Sequence, residues 1–132
     1  MKRLWVVLLV AGACALGIKT YAHHSFAATY LEGQTVTIEG QMVQFLFRNP
    51  HSFVHVMVKE PGGEMVRYAV EWGGTGQLGE QGVTRETLKP GDVIVVTGSP
   101  GRNPADRRIR MVTLLRPKDG FGWGTKGSET FN

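Results

Sequence analysis

Apolar and polar residues alternate along several stretches of the chain, and this period of two predicts β-strands. The clearest alternation lies in residues 34–47, where Val36, Ile38 and Gly40 alternate with polar residues. Proline and glycine separate the stretches, because both residues interrupt a strand ladder. Gly40 is expected to allow a bend or a bulge in the first strand. Five strands are predicted, over residues 34–47, 51–59, 65–72, 92–98 and 108–115.

The segment between the third and fourth predicted strands has a different character. It is rich in glycine, and we interpret residues 77–83 as a short helix and residues 84–88 as one further turn. Three strands, a short helix and two strands are the element order of an OB-like barrel. We therefore predict a mainly β protein, a small five-stranded OB-like barrel with one short helix between strands 3 and 4. An open β-sandwich fragment is the alternative with similar spacing.

The first 22 residues have the pattern of a secretory signal peptide. Lys2 and Arg3 precede an apolar run over residues 4–16, and Thr20-Tyr21-Ala22 is a small-residue cleavage site. A retained membrane anchor is disfavoured, because an apolar run of about 13 residues is shorter than the roughly 20 that span a bilayer. The predicted organisation is a signal peptide at 1–22, an OB-like domain at 23–117 and a flexible, glycine-rich tail at 118–132.

Cleavage after Ala22 predicts a bacterial protein that is periplasmic or secreted, with no membrane span once the signal is removed. The single cysteine, Cys14, lies inside the signal, so neither disulfides nor thiolate ligands are expected in the mature domain. The alternative is a lipoprotein acylated at Cys14, although Ala11 is a poor match to the lipoprotein box. Acylation at Cys14 would leave His23 inside the chain, without a free amine.

Removal of the signal also changes the charge. The whole chain has 15 Lys and Arg residues and 11 Asp and Glu residues, a formal net charge of +4. Three of the basic residues and none of the acidic ones lie in residues 1–22, which leaves 12 against 11 and a charge of +1. The electrostatic argument for a nucleic-acid partner is thereby lost.

The four histidines are the main candidates for chemistry, and all of them follow the predicted cleavage site. A mature chain that begins at His23 offers its α-amine and imidazole to one metal ion, and such nitrogen ligands suit copper. A third nitrogen from another histidine would complete a histidine brace. His51 and His55 are four residues apart on a strand, about 13 Å, too far for both to bind one ion.

We prefer His51 as the third ligand, because it begins a strand at the barrel rim, where an N-terminal segment can arrive. His24 is an alternative ligand or a neighbour that supports the ligands. Glu71 ends the third strand and is either a fourth ligand or a hydrogen-bond acceptor for an imidazole N–H. The alternative for Glu71 is an exposed carboxylate paired with Arg67 or Arg85. The alternative to metal binding is that the two terminal histidines are solvated and that His51 hydrogen-bonds to a loop carbonyl.

Four segments together resemble a family of small secreted bacterial proteins of unknown function, the DUF6152 family. They are His23-His24-Ser25-Phe26-Ala27-Ala28, Asn49-Pro50-His51, Tyr68-Ala69-Val70-Glu71 and Leu88-Lys89-Pro90-Gly91-Asp92. The resemblance covers roughly residues 23–115. It implies a secreted single domain and no established activity.

Three functions remain open from the sequence. The first is a non-catalytic periplasmic binding module that holds copper, and a protein partner in the periplasm is expected with it. The second is a metal-free OB-type domain that binds a protein, a peptide or a glycan. The third, an oxidative histidine-brace enzyme, is disfavoured because a domain of about 110 residues has little surface to position a polymer. The sequence contains no phosphate-binding glycine loop and no nucleophile-elbow serine.

Overall fold

The computed structural model describes residues 26–124. After a helical turn at residues 26–29, six strands and one short α-helix make up the fold, with a 3-10 turn before the fifth strand. In chain order they are β1 (Val36–Leu46), β2 (Phe53–Lys59), β3 (Met65–Glu71), α1 (Thr75–Glu80), β4 (Val93–Pro100), the 3-10 turn (Pro104–Asp106), β5 (Arg108–Arg116) and β6 (Phe121–Trp123).

The first five strands close into a barrel. Antiparallel pairing runs in the order β3-β2-β1-β4-β5, and a parallel pairing between β3 and β5 joins the two ends of this sheet. Closure pairs the edge strands that an open sheet would expose to solvent. The predicted five-stranded OB-like barrel, with one short helix between β3 and β4, is confirmed.

Alternate side chains of each strand point into one core. The pattern is clearest in β2, where Val54, Val56 and Val58 are buried and the residues between them are more exposed. Burial of each such aliphatic side chain contributes about 1.5–3 kcal/mol. The remaining strands contribute the following buried apolar residues: Ile38, Met42, Val70, Ile94, Val96, Ile109, Met111 and Leu114. Leu78 from α1 is also buried in this core.

β1 contains a bulge, but it does not lie at Gly40 as predicted. The bulge lies further along β1, where the register against β2 shifts between Met42 and Gln44. Gly40 is needed for another reason, because β2 approaches β1 so closely there that an added Cβ would overlap the Met57 carbonyl oxygen. A side chain at this position would therefore push the two strands apart.

The segment after β3 is less helical than predicted. α1 occupies Thr75–Glu80 rather than residues 77–83, and its N-cap residue, Gly74, has no side chain that could cap it. Residues 84–88 form hydrogen-bonded turns instead of a helical turn, because the Thr87 hydroxyl accepts from the Thr84 backbone N–H at 2.8 Å. Local side-chain bonds of this kind compete with helix formation.

The region predicted as a flexible tail begins with ordered structure. β6 pairs antiparallel with β5, opposite residues Leu114–Arg116, so the domain extends beyond residue 117. Residues 125–132, the rest of the predicted tail, lie outside the described residues, as does the predicted signal peptide at 1–22. Within residues 26–124, no helix has the length and apolar character needed to cross a membrane.

Replacement of Gly40 by alanine tests the close approach of β1 and β2. We expect Gly40→Ala to lower the free energy of unfolding by about 2 kcal/mol, because the new methyl group overlaps backbone rather than a flexible side chain. Urea unfolding followed by tryptophan fluorescence measures the effect. Gly79→Ala in α1 is the matched control, since nothing lies within 4 Å of its added Cβ, and it should not destabilise the protein. Equal effects of the two substitutions would contradict the close approach.

Candidate functional site

The candidate site is centred on Glu71, the last residue of β3. Glu71 pairs with Phe53 at the start of β2 on one side and with Arg110 of β5 on the other. It therefore lies where the closing strands of the barrel meet. Only 8% of the residue is exposed, and a buried carboxylate requires compensating donors.

Three side chains supply those donors. Tyr30 donates its hydroxyl to Oε2 of Glu71, and Arg108 donates to the same oxygen at 3.2 Å. Nδ1 of His51 hydrogen-bonds to Oε1. Both carboxylate oxygens are thus engaged. Burial, together with the hydrogen bond to Glu71 and its negative charge, raises the pKa of Tyr30 above its ordinary value, so Tyr30 remains a donor at physiological pH.

The Asn49-Pro50-His51 segment is held against the start of the β3–α1 connection. Backbone bonds join Ser52 to this connection, from Ser52 N–H to the Gly73 carbonyl at 3.0 Å and from Trp72 N–H to the Ser52 carbonyl at 2.8 Å. The Asn49 amide oxygen accepts from the Thr75 N–H at 2.9 Å, and the Asn49–Pro50 peptide bond is cis. The hydrogen bonds of Ser52 and Asn49 fix the position from which the His51 ring reaches Glu71.

Glycine at position 74 is required by this packing. A Cβ there would lie 2.6 Å from the Pro50 carbonyl oxygen and 2.9 Å from Oδ1 of Asn49, so a side chain would displace the segment. β2 begins at Phe53, and His51 precedes the strand rather than starting it as predicted. The His51 side chain is consequently set by the loop and by Glu71, not by the strand ladder.

The residues that begin the described chain cover the His51 ring. Phe26 stacks on His51 with ring centroids 5.3 Å apart and an interplanar angle of 13°. The guanidinium of Arg110 lies 3.9 Å from the Phe26 ring centroid and is paired with Glu32 at 2.8 Å. Cation–π and stacking contacts thus hold the N-terminal segment on this side of the barrel.

His51 retains one ring nitrogen for chemistry. A carboxylate at Nδ1 favours the tautomer with the proton on Nδ1, and it leaves Nε2 with its lone pair. Among residues 26–124, no hydrogen-bond partner contacts Nε2, and 37% of the His51 side chain is exposed. This is the arrangement in which histidine binds metals, with its other nitrogen hydrogen-bonded to an acceptor.

The structure places the other candidate residues as follows. His55 lies in the middle of β2, and its Nδ1 accepts a hydrogen bond from Nε of Arg67 at 3.2 Å. It is not one of the residues bonded to Glu71. Burial, together with the positive charges of Arg67 and Arg48, lowers the pKa of His55 below its ordinary value of 6.5. His23 and His24 lie outside the described residues. Within the described part of the chain, no group of three or more His, Cys, Asp or Glu residues could hold a metal ion.

The alternative for Glu71, an exposed carboxylate paired with Arg67 or Arg85, is wrong. Arg67 contacts His55 and Gln44 instead, and Arg85 reaches the Phe47 carbonyl at 3.4 Å. Sequence reasoning missed three members of the site, Tyr30, Arg108 and Phe26. Tyr30 is 41 positions from Glu71, and Arg108 is 37 positions away, so only the closed barrel brings them together.

Substitution of Glu71 tests the compensation of its buried charge. We expect Glu71→Gln to lower the free energy of unfolding by about 2 kcal/mol, because a neutral amide loses the ionic attraction to Arg108 and offers one acceptor oxygen in place of two. Urea unfolding measures the effect. Glu64→Gln is the matched control on an exposed turn residue and should change stability by less than about 0.5 kcal/mol. A Glu71→Gln protein as stable as this control would contradict the role assigned to the carboxylate.

The sequence of this chain matches the model of a protein family. No curated protein matches the chain. The sequence model of a family of unknown function, DUF6152, matches residues 11–109, a range that includes Tyr30, His51, Glu71 and Arg108. The match covers most of the 132 residues. The chain therefore belongs to this family of unknown function, DUF6152.

Proposed function

We propose that the protein is a secreted or periplasmic, non-catalytic binding module that holds a copper ion through His23 and His51. The observation that carries the proposal is the hydrogen bond between Nδ1 of His51 and the buried Glu71, which leaves Nε2 as a ligand nitrogen. Metal handling, or support of a membrane-associated redox system, is the role in which such a module would act.

Covalent geometry supports the participation of His23. Only three peptide units separate it from Phe26, so the two Cα atoms are at most about 11 Å apart. Phe26 already stacks on the His51 ring, 5.3 Å between centroids. A chain that begins at His23 after signal cleavage can therefore bring its amine and imidazole to Nε2 of His51.

The donor chemistry suits copper. An amine and two imidazoles are nitrogen ligands, and copper(II) binds such sets more tightly than the other divalent first-row metals. Glu71 fits the acceptor role better than the role of a fourth ligand, because both of its oxygens are engaged by protein donors. His24 is the alternative ligand, since it follows His23 directly.

A copper titration of the mature protein, expressed with its native signal, tests the proposal. The intact mass first establishes whether the chain starts at His23, without a lipid at Cys14. We expect one copper(II) ion with nitrogen hyperfine coupling in the EPR spectrum. Three alanines added before His23, or His51→Ala, should weaken copper binding at least tenfold, because each removes a nitrogen ligand. Three are used because one added residue would make His24, and two would make His23, the third residue, where an imidazole binds copper(II) together with the terminal amine and the intervening amides.

His55→Ala is the matched control for the histidine substitution. His55 bonds to Arg67 and not to Glu71, so its loss should leave copper affinity unchanged. The proposal is contradicted if the three added alanines and His51→Ala leave the affinity at the wild-type value, or if no nitrogen-coupled signal forms on a chain that starts at His23.

A metal-free interaction domain is the second candidate. It rests on the closed five-stranded barrel, because OB-type barrels commonly bind other molecules on one face. In that case the same barrel rim would bind a protein, a peptide or a glycan. Retention of a periplasmic partner by the protein in the presence of EDTA, together with failure of copper binding, would support this candidate over the first.

A further inference from the structure

The outer wall of the barrel carries two exposed arginines without a carboxylate partner. Arg67 lies on β3, and Arg48 lies in the loop that follows β1. Among residues 26–124, neither of them forms an ion pair, whereas four other arginines do: Arg107, Arg108, Arg110 and Arg116. Arg85 and Arg102 also lack a carboxylate, but each donates to a backbone carbonyl instead. The charges of Arg48 and Arg67 are therefore available to a partner.

Contacts across the sheet bring these two arginines to one place. Nε of Arg67 donates to Nδ1 of His55 in β2 at 3.2 Å. Its Nη2 donates to the amide oxygen of Gln44 in β1 at 2.9 Å, so the Arg67 side chain lies across β2. The guanidinium of Arg48 lies 5.4 Å from the ring centroid of Phe53, which is on the same side of β2 as His55. We call the surface formed by Gln44, Arg48, Phe53, His55 and Arg67 the arginine face.

The positive charge of the arginine face is not compensated by a neighbouring carboxylate. Burial, and after it the charges of Arg67 and Arg48, lower the pKa of His55, so both guanidiniums act on the same imidazole. Glu71 lies opposite Phe53 in the β2–β3 register, but its carboxylate is already engaged by its own three donors. The face is therefore suited to a negatively charged partner.

The unbonded polar side-chain groups of this face are hydrogen-bond donors. His55 accepts at Nδ1, which places its ring proton on Nε2. The amide oxygen of Gln44 is engaged by Arg67, so its NH2 group is the part left unbonded. Guanidinium groups carry N–H donors only. A partner is therefore recognised through acceptor atoms, and charged acceptors form the stronger bonds with arginine.

The surroundings of these donors favour a protein as the partner. β2 is paired along both of its sides, so a partner contacts the face with side chains and not as an added strand. Two guanidiniums are fewer than the roughly four to eight Lys or Arg residues that bind anionic lipids. Phe53 is in cation–π contact with Arg48 and Arg108, at 5.4 and 5.6 Å from its ring centroid. Arginine and aromatic side chains are enriched together at protein interfaces.

We propose that the arginine face docks an acidic segment of a partner protein, whose Asp or Glu carboxylates accept hydrogen bonds from Arg48 and Arg67. The interaction goes beyond copper binding, because the face contains neither His23 nor His51. The bonds from Arg67 to His55 and Gln44 hold its guanidinium in place before the partner arrives. This reduces the entropy that is lost when a long side chain is ordered on binding.

The test is a titration of the metal-free mature protein with a hexaglutamate peptide that has blocked termini. Low ionic strength is used, because salt screens contacts between exposed charges. We expect the ¹H–¹⁵N shifts to concentrate on the backbone amides of the arginine face. A blocked hexaglutamine peptide has the same length without the charge, and it should bind at least tenfold more weakly.

Two double variants make the test specific. Arg48→Gln combined with Arg67→Gln should weaken hexaglutamate binding about tenfold or more, because both charge-assisted pairs are lost. Lys89→Gln combined with Lys118→Gln is the matched control, since it removes the same two charges from exposed turns before β4 and β6. The control should weaken binding by less than about threefold. All four residues are exposed, and circular dichroism should show both variants folded.

Three results would overturn the proposal. The first is the absence of shifts on the arginine face at tens of millimolar hexaglutamate. The second is an equal loss of hexaglutamate affinity in the two double variants. The third is an arginine double variant that loses a heparin tetrasaccharide, or vesicles containing phosphatidylglycerol, by a larger factor than it loses hexaglutamate; a sugar or a membrane would then be the occupant. The copper titration does not depend on these outcomes, because it reports on His23 and His51.

Discussion

A buried carboxylate dictates the construction of this part of the barrel. Removal of Glu71 from water carries a desolvation penalty of several kcal/mol, which its hydrogen bonds with Tyr30, His51 and Arg108 offset. Each donor comes from a different part of the chain: the segment before β1, the loop before β2 and the start of β5. The carboxylate therefore joins three segments that otherwise have separate places in the fold, and in doing so it fixes the orientation of the His51 ring.

Barrel closure is what makes this burial possible. The parallel pairing of β3 with β5 brings Glu71 opposite Arg110 and places Arg108 within reach of Oε2. Gly74 allows the segment before β2 to pack against the β3–α1 connection, so that His51 approaches from the other side. Phe26 then covers the His51 ring, which brings the start of the described chain to the same rim. The barrel, the glycine and the stacked ring thus act together to hold one imidazole with Nε2 directed away from Glu71.

The barrel could be predicted from the sequence, but of the candidate site only His51 and Glu71 could be. Alternation predicts β1 to β5 because their apolar side chains face a common core, whereas β6 has three residues and no alternation to detect. His51 and Glu71 were predicted to be near each other because both lie at strand ends. The partners Tyr30 and Arg108 depend on barrel closure, and no local pattern encodes a contact over 41 or 37 positions. The burial of the Trp72 indole N–H, which has no hydrogen-bond acceptor among residues 26–124, likewise depends on packing and not on its sequence neighbours.

The tautomer of His51 tests this account most directly. A long-range ¹H–¹⁵N spectrum of the imidazole side chains at about pH 8 separates nitrogens that carry a proton from those that do not. The account predicts a protonated Nδ1, with its resonance perturbed by Glu71→Gln, and an unprotonated Nε2. A His51 ring with its proton on Nε2, and Nδ1 without one, would mean that Glu71 does not orient the imidazole for ligand binding.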